Sequence, residues 1–322
     1  MQQPRRDTDP HAADPGRWGH SLVNLAEVLL PCLDAAGARS VIEVGAYAGD
    51  LTGALVDWAV GAGARVWAVD PSPQDRLVQL ANERAELELV RKTSFEALGQ
   101  VPLADAVIID GDHNYYTVSQ ELRIIGERAA EGELPLLIFH DVCWPHGRRD
   151  DYYAVERIPP EHRQPIAEGG GLHPDEPGIR PGGLPYRAAA AREGGPRNGV
   201  LTAVEDFLSQ QKAMRLAVVP AFFGLGVAWD RNAPWAEAVS AVIDPWDRNA
   251  VLARLEQNRV FHLAEQHVQV VRNARQQAVL TRLLGSSAFG LAERLSRLRD
   301  RAGIATGATV VSKEEVRRVL AD

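Results

Sequence analysis

The sequence predicts an α/β protein: a mostly parallel sheet of seven strands, the last antiparallel, with helices on both faces and a helical C-terminal extension. Three observations predict it. Short apolar runs alternate with amphipathic stretches up to residue 140, as in parallel strands joined by crossover helices. Acidic residues stand at the ends of several of these runs, at Glu43, Asp70 and Asp110. Two later apolar runs, Arg215–Val219 and Phe222–Trp229, have only a short Pro-Ala link, which suits an antiparallel hairpin rather than a crossover.

The elements follow in order. Ser21 caps a helix to about Leu33, with Leu22, Leu25, Val28 and Leu29 on one stripe. Strand one is Ser40–Val44, and a helix runs from Asp50 to Val60 until Gly61 and Gly63 end it. Strand two is Arg65–Val69; Pro71 and Pro73 then open a helix over Gln74–Asn82. Leu87–Val90 is strand three, and Ala104–Ile109, continuously apolar, is strand four. Thr117 with Gln120 reads as a capping box for a helix to Ala130. Leu134–Phe139 is strand five. Residues 143–198, rich in Pro, Gly and Arg, break the rhythm and read as a substrate lid inserted into the domain. A helix over Leu201–Leu208 precedes the closing hairpin. From residue 232 the chain is helical, interrupted at Gly285-Ser286-Ser287, and Ser312 with Glu315 caps a last short helix. The expected organisation is thus a disordered start (1–17), a catalytic domain (18–231) and a helical extension (232–322).

A chain of 322 residues, 45% hydrophobic, can bury one large core, and its net charge of −8 without clustered basic residues excludes a nucleic-acid surface. Two cysteines form no disulfide framework, so a reducing cytoplasm is the expected location. The polar, Pro-rich first twenty residues are not expected to act as a signal peptide, and no apolar run is long enough for a membrane span. Membrane binding is not expected; the helix over Phe289–Leu298, with an Arg-rich polar face, is the one feature that speaks for surface attachment.

The densest chemistry lies in V-I-E-V-G-A-Y-A-G-D (41–50), where a strand runs into a glycine-spaced turn and then a helix. Gly45 and Gly49 let the backbone bend and approach a ligand, and the helix points free N–H groups at it. Ligands of such sheets bind at the carboxyl ends of the strands, a rule that gathers Glu43, Asp70, Asp110 and Asp141 on one rim. A dinucleotide would need G-x-G-x-x-G, but Tyr47 fills the place of the second glycine, and Glu43 has no use beside a pyrophosphate. Glu43 suits a cationic or amino-bearing ligand, and Asp70 a ribose diol.

The motifs E-V-G-A-Y-A-G (43–49), A-V-D-P-S (68–72) and I-I-D-G-D-H (108–113) resemble the class I S-adenosylmethionine-dependent methyltransferases over residues 20–230. The run I-D-G-D-H-N-Y, followed by a strand ending F-H-D-V (139–142), resembles the branch containing natural-product sugar O-methyltransferases and cephalosporin hydroxylase-like proteins. The resemblance implies a Rossmann-like fold and S-adenosylmethionine as cofactor. It places Glu43 and Gly45 by the methionine part, Tyr47 and Gly49 in the glycine turn, Asp70 on the ribose, and Ser94, in the Thr93–Phe95 turn, by the adenine, with Asp110 closing the site. It implies an O-methyltransferase acting on a sugar hydroxyl, in a glycosylated natural product or a surface glycan precursor.

Asp110, Asp112, His113, His140 and Asp141 form a second constellation. Relatives in that branch orient substrate hydroxyls with a divalent metal. The resemblance maps this role onto Asp110 and Asp141, with His140 standing where a second acidic residue is usual, so Mg²⁺, a softer metal or none all stay open. His113 is the expected base, working with Asp110 and Asp141. In the insertion, Trp144, Tyr152 and Tyr153 are the candidate acceptor platform, and Arg148, Arg149 and Arg163 the candidate contacts to an anionic group. The tail is expected to pack on the core or form a homo-oligomer. Two alternatives stand: an NAD(P)-dependent oxidoreductase on a similar sheet, and a non-catalytic assembly protein that keeps the cofactor fold.

Overall fold

A computed structural model describes residues 20–130, 133–303 and 311–321; the expected disordered start lies outside them. Ser21 accepts from the Val23 N–H and opens a 3₁₀ turn (Leu22–Leu25), which leads into α1 (Ala26–Ala35). Then come β1 (Ser40–Val44), α2 (Asp50–Ala62), β2 (Arg65–Val69), α3 (Asp75–Glu83), β3 (Leu87–Val90), α4 (Ser94–Leu98), β4 (Ala106–Ile109), α5 (Tyr115–Arg128) and β5 (Leu136–Phe139). After the insertion come α6 (Val200–Ser209), β9 (Met214–Val219) and β10 (Leu225–Asp230).

The main sheet has the order β3-β2-β1-β4-β5-β10-β9, parallel except for β10, which runs antiparallel to both β5 and β9. Period-two alternation splits each strand between two cores. Val41, Val66 and Ile108 face one side with α1 and α2; Ile42, Trp67 and Val107 face the other with α4, α5 and α6. The chain order turns back at β1, so the ends of β1, β2 and β4 open onto one crevice.

Three local expectations are corrected. Asn114, not Thr117, caps α5: its side chain accepts from the Thr117 N–H at 2.8 Å. The Thr93–Phe95 turn is the start of α4, with Thr93 and Glu96 forming the capping box. Residues 143–198 carry a second sheet, β6 (Ile166–His173), β7 (Glu176–Arg180) and β8 (Leu184–Ala190), antiparallel in the order β7-β6-β8. Its periodicity is hidden because glycines stand where strands come too close for side chains: a Cβ on Gly171 would overlap the Gly182 carbonyl.

The tail is only partly an extension. In α7 (Ala236–Ile243), Ala236, Val239 and Ile243 enter the same core as α1. The 36-residue α8 (Ala250–Gly285) lays its first half against β6 and β8, then leaves the body, so that residues 269–279 are exposed. The break at 285–287 leads to α9 (Ser287–Arg301), and the Ser312–Glu315 box opens α10 (Lys313–Ala321).

Candidate active site

The cradle forms where β1 and β2 end. Gly49 caps α2 at φ 78°, and Tyr47 takes φ 39° with its ring 62% exposed. Asp70 fixes this turn: its two oxygens accept from the N–H groups of Tyr47 at 2.8 Å and Ser72 at 2.7 Å. Each oxygen keeps a second lone pair, so the carboxylate can still accept from a diol. Gly45 has a second reason besides the bend. At φ 88° it packs on the backbone of Asp110 and Gly111, where a Cβ would overlap, so its lack of a side chain serves strand closure.

Glu43 lies beneath the turn, buried, and accepts from the Thr52 hydroxyl at 2.6 Å. Burial pushes its carboxyl up to about 8, against the pull of Thr52, so it is neutral unless a cation faces it. Ser94 opens α4 at the end of β3, on the same rim.

The second constellation assembles as the sheet order requires, because β4 and β5 are neighbours. His140 Nδ1 stands 2.9 Å from Asp110 Oδ1 and 3.2 Å from Asp141 Oδ2. Its Nε2 donates to the Phe222 carbonyl at 2.9 Å. His113 Nε2 is 3.0 Å from Asp141 Oδ2, and its Nδ1 is 3.1 Å from the Tyr153 hydroxyl. Asp141 reaches this position with φ 59°. Tyr47, Asp141, Phe222 and Phe223, all non-glycine residues at positive φ, border these two sites; each costs on the order of 1–3 kcal/mol.

Charge dominates here. Burial would lower His113, but the Asp141 and Asp110 carboxylates reverse this and hold it up at about 10. His140 is raised in the same way, and Asp141 is held well below the usual carboxylate range by His113 and His140 despite its burial. His146, brought in by the insertion, packs against His113 with ring centroids 4.4 Å apart and the rings tilted by 52°. Burial drops it to about 3, so it is a neutral imidazole, with Tyr186 3.3 Å from its Nε2. Sequence reasoning missed His146: it lies inside the segment without periodicity, five residues beyond Asp141.

The insertion departs from expectation. Tyr153, 57% exposed, does face the cluster. Tyr152 does not: it is 1% exposed, and its hydroxyl donates to Asp150 at 2.8 Å. Trp144 is half-buried, and its Nε1 has no hydrogen-bond partner among the described residues. The three arginines are engaged elsewhere: Arg148 forks onto Glu205, Arg149 donates to the carbonyls of Ala190 and Pro177, and Arg163 to that of Ile158. Asp150, also missed, joins the insertion to the domain, accepting at 2.7 Å from the N–H groups of both Tyr115 and Gly199 at the starts of α5 and α6.

The donor set fits a divalent cation. Two ligands bound at about 2.1 Å and at right angles stand about 3.0 Å apart, close to the His140–Asp110 and His140–Asp141 spacings. Asp110, His140 and Asp141 form one candidate triad, and His113, Asp141 and His146 another. Asp141 Oδ1 is buried and accepts no hydrogen bond among the described residues. Such an orphan calls for a partner.

Residues 42–142 match a methyltransferase-domain family model. No curated protein matches the chain. Solved structures similar to it include human N-acetylserotonin methyltransferase in complex with SAM, at 13% identity and TM-score 0.36, covering 64% of this chain and 51% of that one. Another is the SAH-bound methyltransferase of Podospora anserina, at 11% identity and TM-score 0.38, covering 70% of this chain and 89% of that one. The chain thus spans about half the length of the human enzyme.

Proposed function

We propose that this chain, a methyltransferase by the domain that residues 42–142 match, is an S-adenosylmethionine-dependent O-methyltransferase. The observation that carries this reading is the adjacency of two parts: a cradle at the ends of β1 and β2, and a His–Asp cluster at the ends of β4 and β5, one strand away. Asp70 would hold the ribose hydroxyls, Gly45, Tyr47 and Gly49 the methionine side with Glu43 beneath them, Ser94 the adenine, and Asp110 the side toward the acceptor. Bound there, S-adenosylmethionine supplies a methyl group already activated on a sulfonium.

The remaining work is placement in line and removal of one proton. His113 is the proposed acceptor of that proton: Asp141 holds its Nε2–H, and Nδ1, which faces the Tyr153 hydroxyl, takes the proton either directly or through that hydroxyl. A divalent cation on Asp110, His140 and Asp141 would supply Lewis acidity to a hydroxyl and offset the charge that keeps His113 protonated. The acceptor is read as a hydroxyl of a sugar, in a glycosylated small molecule or a surface glycan precursor, on the I-D-G-D-H and F-H-D-V motifs. Tyr153 and Tyr186 would border it from the insertion.

Calorimetric titration with S-adenosylhomocysteine, with and without Mg²⁺ and after chelation, tests this reading. Binding on the order of micromolar is expected; silence towards it together with binding of NAD(P) would turn the reading to the oxidoreductase. Residues 232–322 are read as the helical extension of the catalytic domain, with α7 built into the domain's core. We read α8 and α9 as a self-association surface, since Leu291, Leu295 and Leu298 recur at helical spacing and are exposed. Light scattering on the full chain and on a Leu291→Glu/Leu295→Glu variant checks it, with dissociation expected. A reducing cytoplasm fits the free Cys32 and Cys143; among the described residues no helix is long and apolar enough to cross a membrane.

A further inference from the structure

We propose that the Asp110–His140–Asp141 centre takes a first-row transition ion such as Mn²⁺, Co²⁺ or Zn²⁺ in preference to Mg²⁺. This deepens the reading above and rests on it for the role of the ion, though not for its binding. The argument starts from His140. Its Nε2–H is committed to the Phe222 carbonyl, so this ring faces the two carboxylates with Nδ1. A proton on Nδ1 satisfies them in the ion-free centre; an ion takes its place without moving the ring. An imidazole oriented by a carbonyl on its far nitrogen is the usual arrangement of a metal-ligating histidine.

That carbonyl is itself held rigidly. Phe222 and Phe223 form a left-handed turn (φ 50° and 67°) between β9 and β10, and the Phe223 N–H donates to Glu256 of α8 at 2.8 Å. The ring is thus fixed from outside the β4–β5 pair. The second observation concerns the Asp141 carboxylate: Oδ2 faces His140, while Oδ1, on the side of His146 Nε2 at 3.8 Å, is buried and accepts no hydrogen bond among the described residues, so the carboxylate is left short of partners.

The chemistry of the set decides the ion. Mg²⁺ prefers an all-oxygen octahedron and keeps several of its waters. Here one donor of three is nitrogen, and two further imidazoles, His113 and His146, stand within ligand reach of Asp141. Imidazole nitrogen favours the later divalent ions, in the order Mn²⁺, then Co²⁺, with Zn²⁺ also above Mn²⁺.

The test uses the full chain after chelation and dialysis, titrated separately with MgCl₂, MnCl₂, CoCl₂ and ZnCl₂ by calorimetry, with the visible absorption of Co²⁺ as a second readout. Mn²⁺, Co²⁺ and Zn²⁺ are expected to bind at least about 30-fold tighter than Mg²⁺. His140→Asp, which restores an all-oxygen set, is expected to tighten Mg²⁺ about tenfold and to change the Co²⁺ spectrum. His140→Asn serves as a second variant, and circular dichroism reports the fold of both. Equal or tighter Mg²⁺ binding in the parent, no binding of any of the four ions, or a folded His140→Asp with the parent's ion preference each overturns the proposal. S-adenosylhomocysteine titrated into the same samples separates the two readings: its failure to bind beside an intact ion preference sinks the transferase alone.

Discussion

Gly45 at the end of β1 and Asp110 at the end of β4 are packed so closely that a Cβ on the first would overlap the carbonyl oxygen of the second. The glycine turn therefore does two jobs at once. It opens the cradle, and it sets Asp110, the first carboxylate of the His–Asp cluster, directly beside it.

Gly45→Ala meets both a backbone overlap and a φ of 88°, and is expected to destabilise the fold by roughly 3–5 kcal/mol. In Gly49→Ala the nearest atom is Leu77 Cδ1 at 3.3 Å, a contact that a shift of a few tenths of an ångström relieves, so the φ cost of about 1–3 kcal/mol dominates. Urea denaturation of the two variants checks the order; equal midpoints would mean that the strands separate to make room.

Asp70→Ala removes the acceptor of two turn amides as well as the proposed ribose partner. Affinity for S-adenosylhomocysteine is expected to fall by about 10- to 100-fold, as for loss of a charge-assisted hydrogen bond. Unchanged affinity in calorimetry would remove Asp70 from the cofactor site.

Glu121 on α5 is fully buried, and burial raises its carboxyl to about 8 against the pull of Ser94. Between pH 4.5 and 8 the unfolded chain gives up a proton that the folded chain keeps, so this group lowers stability as pH rises through that window. Glu121→Gln, neutral throughout, is expected to match the parent near pH 4 and to exceed it at pH 8 by up to roughly 3–5 kcal/mol. Denaturation at pH 4, 6 and 8 reads the slope; parallel curves would show that water reaches the carboxylate.

His113→Ala is expected to leave S-adenosylhomocysteine affinity unchanged and to slow turnover by about 100-fold or more, the scale of general base catalysis. Single-turnover rates on a methyl acceptor measure it. A rate equal to the parent's would assign the proton to another group.

Much of this was legible because it is local. β1, β2 and β3 end where apolar periodicity and turn residues end them, and the strand-end rule brings Glu43, Asp70, Asp110 and Asp141 to one rim. The insertion was not legible. In β6 to β8, glycines at the tight crossings erase the alternation that marks a strand, and Arg148 and Arg149 read as ligand contacts because their partners, Glu205 and the Ala190 carbonyl, lie about fifty residues away.

By itself the sequence determined the α/β alternation, the antiparallel close and the four rim carboxylates, since periodicity and glycine spacing act between neighbours in the chain. Only the tertiary structure decided what those carboxylates face. Phe222 reaches His140 across 82 residues, and His146 reaches Asp141 through a turn that no periodicity announces. Contacts of that kind depend on which strands pair and how closely they pack, and a linear pattern of polar and apolar residues carries no record of either.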